Sequence, residues 1–152
     1  RERGGGKIVL FSSINGLLGI PFQSAYTASK HAIEGYAECL QMEVRPFGIQ
    51  VMLVEPGDHR RGSDQYRPHA AAMNPDSPYA AEYESGIAVI HHDEQNGSDP
   101  DVLGRKIART LDRKRIPFRK RIASPDQDLA VYIHKLLPAK MNERILRKYY
   151  IK

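Results

Sequence analysis

Two apolar runs without polar alternation constrain the fold of this chain more than any other feature. They are KIVLF at residues 7–11 and IQVMLVEP at residues 49–56. Strands covered on both faces, as in a parallel sheet, carry such continuous apolar patterns. Between them, residues 25–45 space their apolar side chains by fours and threes, as a helix does, until Pro46 and Gly48 end the pattern. Strand, helix and strand in this order predict a βαβ unit and an α/β fold.

The rest of the chain predicts further helices and one short strand. Residues 58–76 are polar and rich in proline and histidine, so they predict a long loop. A capping residue followed by proline marks three helix starts, at Ser77-Pro78, Asp99-Pro100 and Ser124-Pro125. Residues 118–124 alternate apolar and basic side chains, which predicts a short edge strand. The helical tail from 129 to 149 is interrupted at Pro138.

Length and composition limit the class of protein. With 152 residues, 41% of them hydrophobic, the chain can bury one core. Its single cysteine, Cys39, excludes an internal disulfide and fits a reducing compartment, so we expect a cytoplasmic protein and a thiol that serves as a small core residue. The opening RERGGGKIVLF gives almost no lead-in to the first strand. We therefore expect these residues to be the C-terminal part of a longer protein.

The segment SAYTASKHAIEG, residues 24–35, places Tyr26 and Lys30 one helical turn apart. A phenol has a pKa near 10, so a phenolate base near neutral pH needs that value lowered by about 2–3 units. An ammonium on the same helix face favours the phenolate. Ser13 follows the first strand, and ligands of open α/β sheets bind at the carboxyl ends of strands. A serine hydroxyl there can orient a substrate oxygen, so the three residues predict a proton-transfer site.

These residues resemble the short-chain dehydrogenase/reductase family. Its Tyr-x-x-x-Lys motif, with a serine thirteen residues before the tyrosine, is met by Ser13, Tyr26 and Lys30. The phrases GKIVLFSSINGLLGIPFQSAYTASKHAIEG and GIQVMLVEPG are also similar to the family, and the C-terminal segments resemble bacterial members similar to hydroxysteroid or retinol dehydrogenases. The resemblance implies an α/β fold that is the C-terminal half of a Rossmann-like, doubly wound parallel sheet. Its three strands are expected near residues 7–13, 49–55 and 118–123.

The resemblance implies an oxidoreductase that transfers hydride between NAD or NADP and an apolar alcohol or ketone. Tyr26 would exchange the substrate proton and Ser13 would orient the substrate oxygen. Lys30 would lower the pKa of the phenol and bind the nicotinamide ribose. The expected walls of the apolar substrate pocket are Leu17, Leu18, Ile20 and Phe22.

The resemblance also assigns residues to the cofactor and to a lobe over the substrate. Pro56 and Gly57 would lead a backbone turn against the nicotinamide carboxamide, and His59 would offer its amide. Residues 58–97 would form the substrate-covering lobe. Arg61 stands where the family usually has a threonine that contacts the carboxamide.

The family's glycine-rich phosphate-binding turn, its Asn-Ala-Gly segment and its proton-relay asparagine have no counterpart in this sequence. We therefore expect residues 1–152 to form a partial domain in which the N-terminal dinucleotide-binding half is absent, so that the chain alone binds the cofactor weakly. One edge of the first strand would then be bare. The alternative is a catalytically inactive fragment that serves as a structural, interaction or membrane-surface module.

Two polar segments invite other functions. We expect His91-His92-Asp93-Glu94 to be a solvated helix end and no metal site, because adjacent helical residues point in different directions. The net charge of the chain is +5, and its positive excess lies after residue 100, where the basic residues could bind an anionic membrane or a nucleic acid. Acidic residues interrupt the basic run, so an ordinary solvated face is expected, without a nucleic-acid partner and with membrane contact as the alternative. A homo-oligomer is expected by resemblance, since the tyrosine-bearing helix lies at the subunit contact in the family.

Overall fold

The computed structural model describes residues 1–60, 67 and 74–151. Its sheet has three parallel strands, which are β1 (Gly6–Phe11), β2 (Ile49–Pro56) and β3 (Arg119–Ile122). The helices are α1 (Ser24–Val44), α2 (Ala80–Gln95), α3 (Pro100–Leu111), α4 (Pro125–Leu136) and α5 (Ala139–Tyr150), with short 3-10 turns at Ile14–Gly16 and Arg45–Phe47. This arrangement confirms the predicted α/β fold with a three-stranded parallel sheet.

The central strand β2 fixes the register of the sheet. β1 pairs with β2 from Gly6 opposite Ile49 to Phe11 opposite Val54, and β3 pairs with its second half. β1 ends at Phe11, two residues earlier than predicted. The pairing still continues one step further, because the amide of Ser12 donates to the carbonyl of Val54 at 2.8 Å.

Side chains of β2 alternate between two cores, as the pleat of a strand requires. Val51 and Leu53 pack with Ala37 under α1. Met52 and Val54 face the opposite way, where the second cluster is Ile122, Val9, Leu103, Ile107, Leu111 and Ile116. β2 is therefore buried on both faces, as its apolar run predicted.

β1 is less covered than its sequence predicted. Among the described residues it pairs only with β2, so one of its edges carries no partner strand. Its last residue, Phe11, keeps 50% of its surface exposed. The apolar pattern indicates which side chains of a strand are suited to burial. The position of the strand at the edge of the sheet decides how much of their surface is covered.

Most predicted helix boundaries are confirmed. α3 and α4 begin at Pro100 and Pro125, and the side chain of Asp99 accepts from the amide of Asp101 at 2.9 Å. α2 begins at Ala80 and not at Pro78, because the carbonyl of Ser77 accepts from the Ala80 amide and closes a separate turn first.

Cys39 is exposed, so its prediction as a core residue was wrong. It lies two residues after the buried Ala37, which places it on the opposite side of α1. In the part of the chain that the structure describes, no helix has the length and apolar character needed to cross a bilayer.

Candidate active site

Ser13 is held rigidly just beyond the carboxyl end of β1. Its backbone is extended, and its side chain caps the following 3-10 turn by accepting from the Asn15 amide at 3.2 Å. Ser13 is also buried. A hydroxyl that already accepts one bond still has its own hydrogen to donate to a ligand.

Lys30 joins Tyr26 to the end of the same strand. Its ammonium lies 5.4 Å from the centre of the Tyr26 ring, and it donates to the carbonyl of Phe11 at 3.1 Å. Partial burial lowers the pKa of Lys30 by removing water from its ammonium. The predicted tyrosine and lysine are therefore together, at the strand end that leads directly into Ser13.

A hydrogen bond between Asn15 and Gln23, which the sequence did not single out, positions the two halves of this site. The buried amide group of Asn15 donates to Gln23 Oε1 at 2.7 Å. Asn15 belongs to the turn that Ser13 caps, and Gln23 immediately precedes α1, which carries Tyr26. In the sequence both residues look like ordinary loop polar residues, so no pattern distinguishes them.

Phe22 adds strain at the same junction. It has a φ of 61°, which is a left-handed conformation unusual for a side chain of its size. Its ring packs edge-on against Tyr83 with centroids 5.5 Å apart. A Cβ on Gly86 would lie 2.9 Å from the Phe22 ring, so the small residue in α2 is what admits this conformation. Strained backbones of this kind persist where the surrounding packing holds them.

The Pro56-Gly57 turn lies at the carboxyl end of β2, next to the end of β1. The Gly57 amide donates to the carbonyl of Ile122 at 3.0 Å. A side chain at Gly57 would overlap Gln127 and come within 2.8 Å of the Ala123 Cβ, so this position requires glycine. His59 lies in the same turn and has its Nδ1 2.8 Å from the Gly57 carbonyl.

A half-buried carboxylate, Asp58, follows Gly57. It accepts from Gln127 Nε2 at 2.5 Å, and its carbonyl accepts from the Ser98 amide at 3.0 Å. Burial, together with the nearby charges of Asp93 and Glu94, raises the pKa of Asp58 to about 6. The role of Asp58 could not be predicted from the sequence, because nothing in the local pattern indicates which helices cover it.

Ion pairs anchor α1 to the sheet one turn beyond Lys30. Arg119 of β3 pairs with Glu34 of α1 and with Glu55 of β2, the latter at 2.8 Å. Both carboxylates are buried. Burial alone lowers the pKa of Arg119, but its hydrogen bonds to Glu55 and Glu34 more than offset this and raise it.

The predicted pocket-wall residues divide between two environments. Leu17, Leu18 and Ile20 pack with Val131 of α4. Ile20 also borders a groove of about 390 Å³, which runs between residues 19–21 and helix α5. Phe22 instead packs on α2, as described above.

The predicted lobe at 58–97 is described only in part. Arg61 and the rest of 61–66, like 68–73, lie outside the described residues. The acidic residues after His91-His92 are not simply solvated, since Tyr149 donates to Asp93 and Arg67 pairs with Glu94. No group of three or more His, Cys, Asp or Glu side chains in the described ranges is placed to hold a metal ion.

The sheet is parallel, and its first strand ends beside the Lys30 ammonium and leads into Ser13. This is the architecture of an open α/β protein, a class in which ligands bind at the carboxyl ends of the strands. Residues 1–68 match the family model described as short chain dehydrogenase. This match and the relatives described next confirm the predicted resemblance to the short-chain dehydrogenase/reductase family.

Its relatives show how much of such a protein these residues represent. A 3-ketodihydrosphingosine reductase of Bacteroides thetaiotaomicron is 39% identical over 145 residues, which cover 95% of this chain and 54% of that protein. A short-chain dehydrogenase of Streptomyces avermitilis matches with a TM-score of 0.66 and 31% identity, over 98% of this chain and 51% of that one. The chain therefore spans about half the length of these relatives.

A third protein shares the fold. The structure of a short-chain dehydrogenase/reductase from Burkholderia phymatum in complex with NAD matches with a TM-score of 0.57 and 24% identity. The match covers 85% of this chain and 47% of that one.

Proposed function

We propose that this chain carries the catalytic residues of an NAD- or NADP-dependent oxidoreductase that acts on an apolar alcohol or ketone. One observation carries the proposal, namely the position of the Lys30 ammonium between the Tyr26 ring and the Phe11 carbonyl. This position brings a cation to the phenol at the strand end from which Ser13 follows. Removing water from a lysine ammonium costs free energy, and a ligand that uses the charge gives a reason for the side chain to be placed there.

The proposed roles follow from the hydrogen-bonding capacity of each group. Ser13 uses its oxygen to accept from Asn15, so its hydrogen is available to donate to a substrate oxygen. Tyr26 is exposed and can give its proton to that oxygen when a ketone is reduced, or take it when an alcohol is oxidised. Lys30 places its positive charge beside the phenol ring and has two further hydrogens to donate. A bound nicotinamide would supply or accept the hydride.

The residues at the end of β2 suit a nicotinamide carboxamide. Pro56 and Gly57 form a turn that Gln127 and Ile122 hold in place. The Nε2 of His59 is buried and has no hydrogen-bond partner in the described part of the chain. Because Nδ1 lies against the Gly57 carbonyl and so carries the ring hydrogen, Nε2 is an acceptor that a carboxamide NH₂ could satisfy.

The apolar substrate class has separate support. Ile20, Pro21 and Leu146 border the groove between residues 19–21 and helix α5, which offers apolar surface to a hydrocarbon chain and begins six residues after Ser13 in the sequence. The relative from Bacteroides thetaiotaomicron is named as a reductase of a ketone.

The test measures binding and turnover of NADH and NADPH, first with this chain and then with the chain extended upstream by its native gene. Tyr26→Phe should lower kcat by about 10²–10⁴-fold, since it removes the group that transfers the proton. Tyr36→Phe is the matched control, because Tyr36 is an exposed tyrosine of the same helix and should leave turnover unchanged. Undiminished activity of Tyr26→Phe would refute the assigned roles.

Cofactor binding by the extended form alone would support the prediction that residues 1–152 are a partial domain. Binding by neither form would favour the alternative, in which the chain is an inactive interaction module.

A further inference from the structure

Helix α4 presents an apolar face outwards. Four apolar side chains follow the spacing of one helical face and remain exposed; these residues, named here the α4 stripe, are Leu129, Tyr132, Ile133 and Leu136. Leu136 keeps 83% of its surface exposed and Leu129 58%. The opposite side of the helix is already satisfied, because Val131 is fully buried against Ile14 and Leu18. The exposed apolar side chains of the stripe are therefore not used in packing α4 against the core.

Helix α5 continues this character with added positive charge. Met141 and Ile145 are exposed one turn apart, while Asn142 is buried on the inner side. Exposed cations lie between and beyond them, at Lys140, Arg144 and Lys148. The tail was expected to be an ordinary solvated face, but the exposed apolar residues among its cations are not what solvation alone requires.

Asn142 fixes the angle between the two helices. Its side-chain amide donates to the carbonyl of His134 at 2.8 Å and to that of Leu137 at 3.0 Å. His134 lies in the last turn of α4 and Leu137 is the residue that caps it, so these carbonyls would otherwise have no partner within the helix. The hairpin of α4 and α5 is therefore a defined structural unit.

The charge of the hairpin selects its partner. The hairpin, residues 125–151, contains five lysines and arginines and three carboxylates, of which Asp126 and Asp128 lie in the first turn of α4, before the stripe, and Glu143 lies in α5. A symmetric contact with a second copy would bring these like charges together, and protein interfaces are depleted in lysine. An apolar face with a basic surround is instead typical of helices that lie in the surface of an anionic membrane.

We propose that the hairpin of α4 and α5 docks the protein on an anionic lipid surface, with the α4 stripe and Met141 and Ile145 entering the headgroup region. The contact is peripheral. Each helix has 12 residues, about 18 Å, whereas the hydrocarbon core of a bilayer is about 30 Å thick.

The experiment is cosedimentation of the protein with vesicles of phosphatidylcholine alone and of phosphatidylcholine with phosphatidylserine, at low and high sodium chloride. The wild-type protein should sediment with the phosphatidylserine vesicles at low salt and lose most of this binding at high salt. Lys140→Glu with Arg144→Glu and Lys148→Glu should weaken binding by about 100-fold or more, since each cation near such a surface changes partitioning about fivefold. Leu129→Ser with Leu136→Ser should weaken it by at least about tenfold.

Met42→Ser is the matched control, because Met42 is an equally exposed apolar residue on α1. It should bind vesicles like the wild-type protein, and circular dichroism should show all variants folded. The proposal is overturned if the wild-type protein does not bind phosphatidylserine vesicles at low salt, or if Met42→Ser loses as much binding as the stripe variant. It is equally overturned if sedimentation velocity without lipid shows a dimer that the stripe variant abolishes while vesicle binding stays the same.

Discussion

Replacing Asp58 by asparagine should stabilise the folded protein at neutral pH. The carboxyl group is largely buried, close to the charges of Asp93 and Glu94, and its pKa rises from 3.8 to about 6 on folding. Between these values the folded state holds a proton that the unfolded state has released. The stability of the wild-type protein therefore falls as the pH rises from about 4 to about 6, and ionised Asp58 remains a cost above that range.

The size of the effect follows from the shift. A change of roughly two pKa units corresponds to about 3 kcal/mol as an upper bound. Water still reaches part of the carboxyl group and screens it, so we expect about 1–2 kcal/mol. Asparagine keeps the local contact, because its side-chain oxygen can still accept from Gln127 Nε2, which donates to Asp58 at 2.5 Å.

The assay is urea unfolding followed by circular dichroism at about pH 4 and about pH 7. At the higher pH the Asp58→Asn variant should be more stable than the wild-type protein. Between the two pH values, its free energy of unfolding should change much less than that of the wild-type protein. Asp76→Asn is the control, since Asp76 is an exposed loop carboxylate and should change neither value. A variant that is no more stable than the wild-type protein at the higher pH would show that ionised Asp58 does not destabilise the folded state.

Three further substitutions test the contacts around the site. Gly57→Ala should cost about 1–3 kcal/mol, since the new methyl displaces Gln127, and adding Gln127→Ala should recover part of that loss. Arg119→Met should cost about 3 kcal/mol or more, because it removes the guanidinium that pairs with the buried Glu34 and leaves Glu55 with Arg121 at 3.5 Å. Asn142→Ala should cost about 1–3 kcal/mol and speed amide exchange at the end of α4. Urea unfolding measures the free-energy change in all three variants, and amide hydrogen exchange measures the faster opening in Asn142→Ala. A change below about 0.5 kcal/mol in any variant would contradict the contact concerned.

The local parts of the site could be predicted because they depend on spacing along one element. Tyr26 and Lys30 are four residues apart on a helix, so their proximity follows from helical geometry. The place of Ser13 at the end of a strand followed from the apolar run before it. The bond from Lys30 to the Phe11 carbonyl could not be predicted, because it joins residues that the fold brings together across a sheet and a helix.

The secondary-structure elements, their order and the reactive side chains at their ends follow from local patterns along the chain. Apolar periodicity and capping residues act over a few residues, so β2, α1, α3 and α4 could be predicted from the sequence of each. Their burial and electrostatics were decided only by the tertiary structure. The raised pKa of Asp58, the glycine required at position 57 and the exposed α4 stripe all depend on which distant helix lies over each residue, and that is a property of packing. Local patterns indicate which side chains of a segment are suited to burial. The packing of the whole fold decides which of those side chains remain exposed to water.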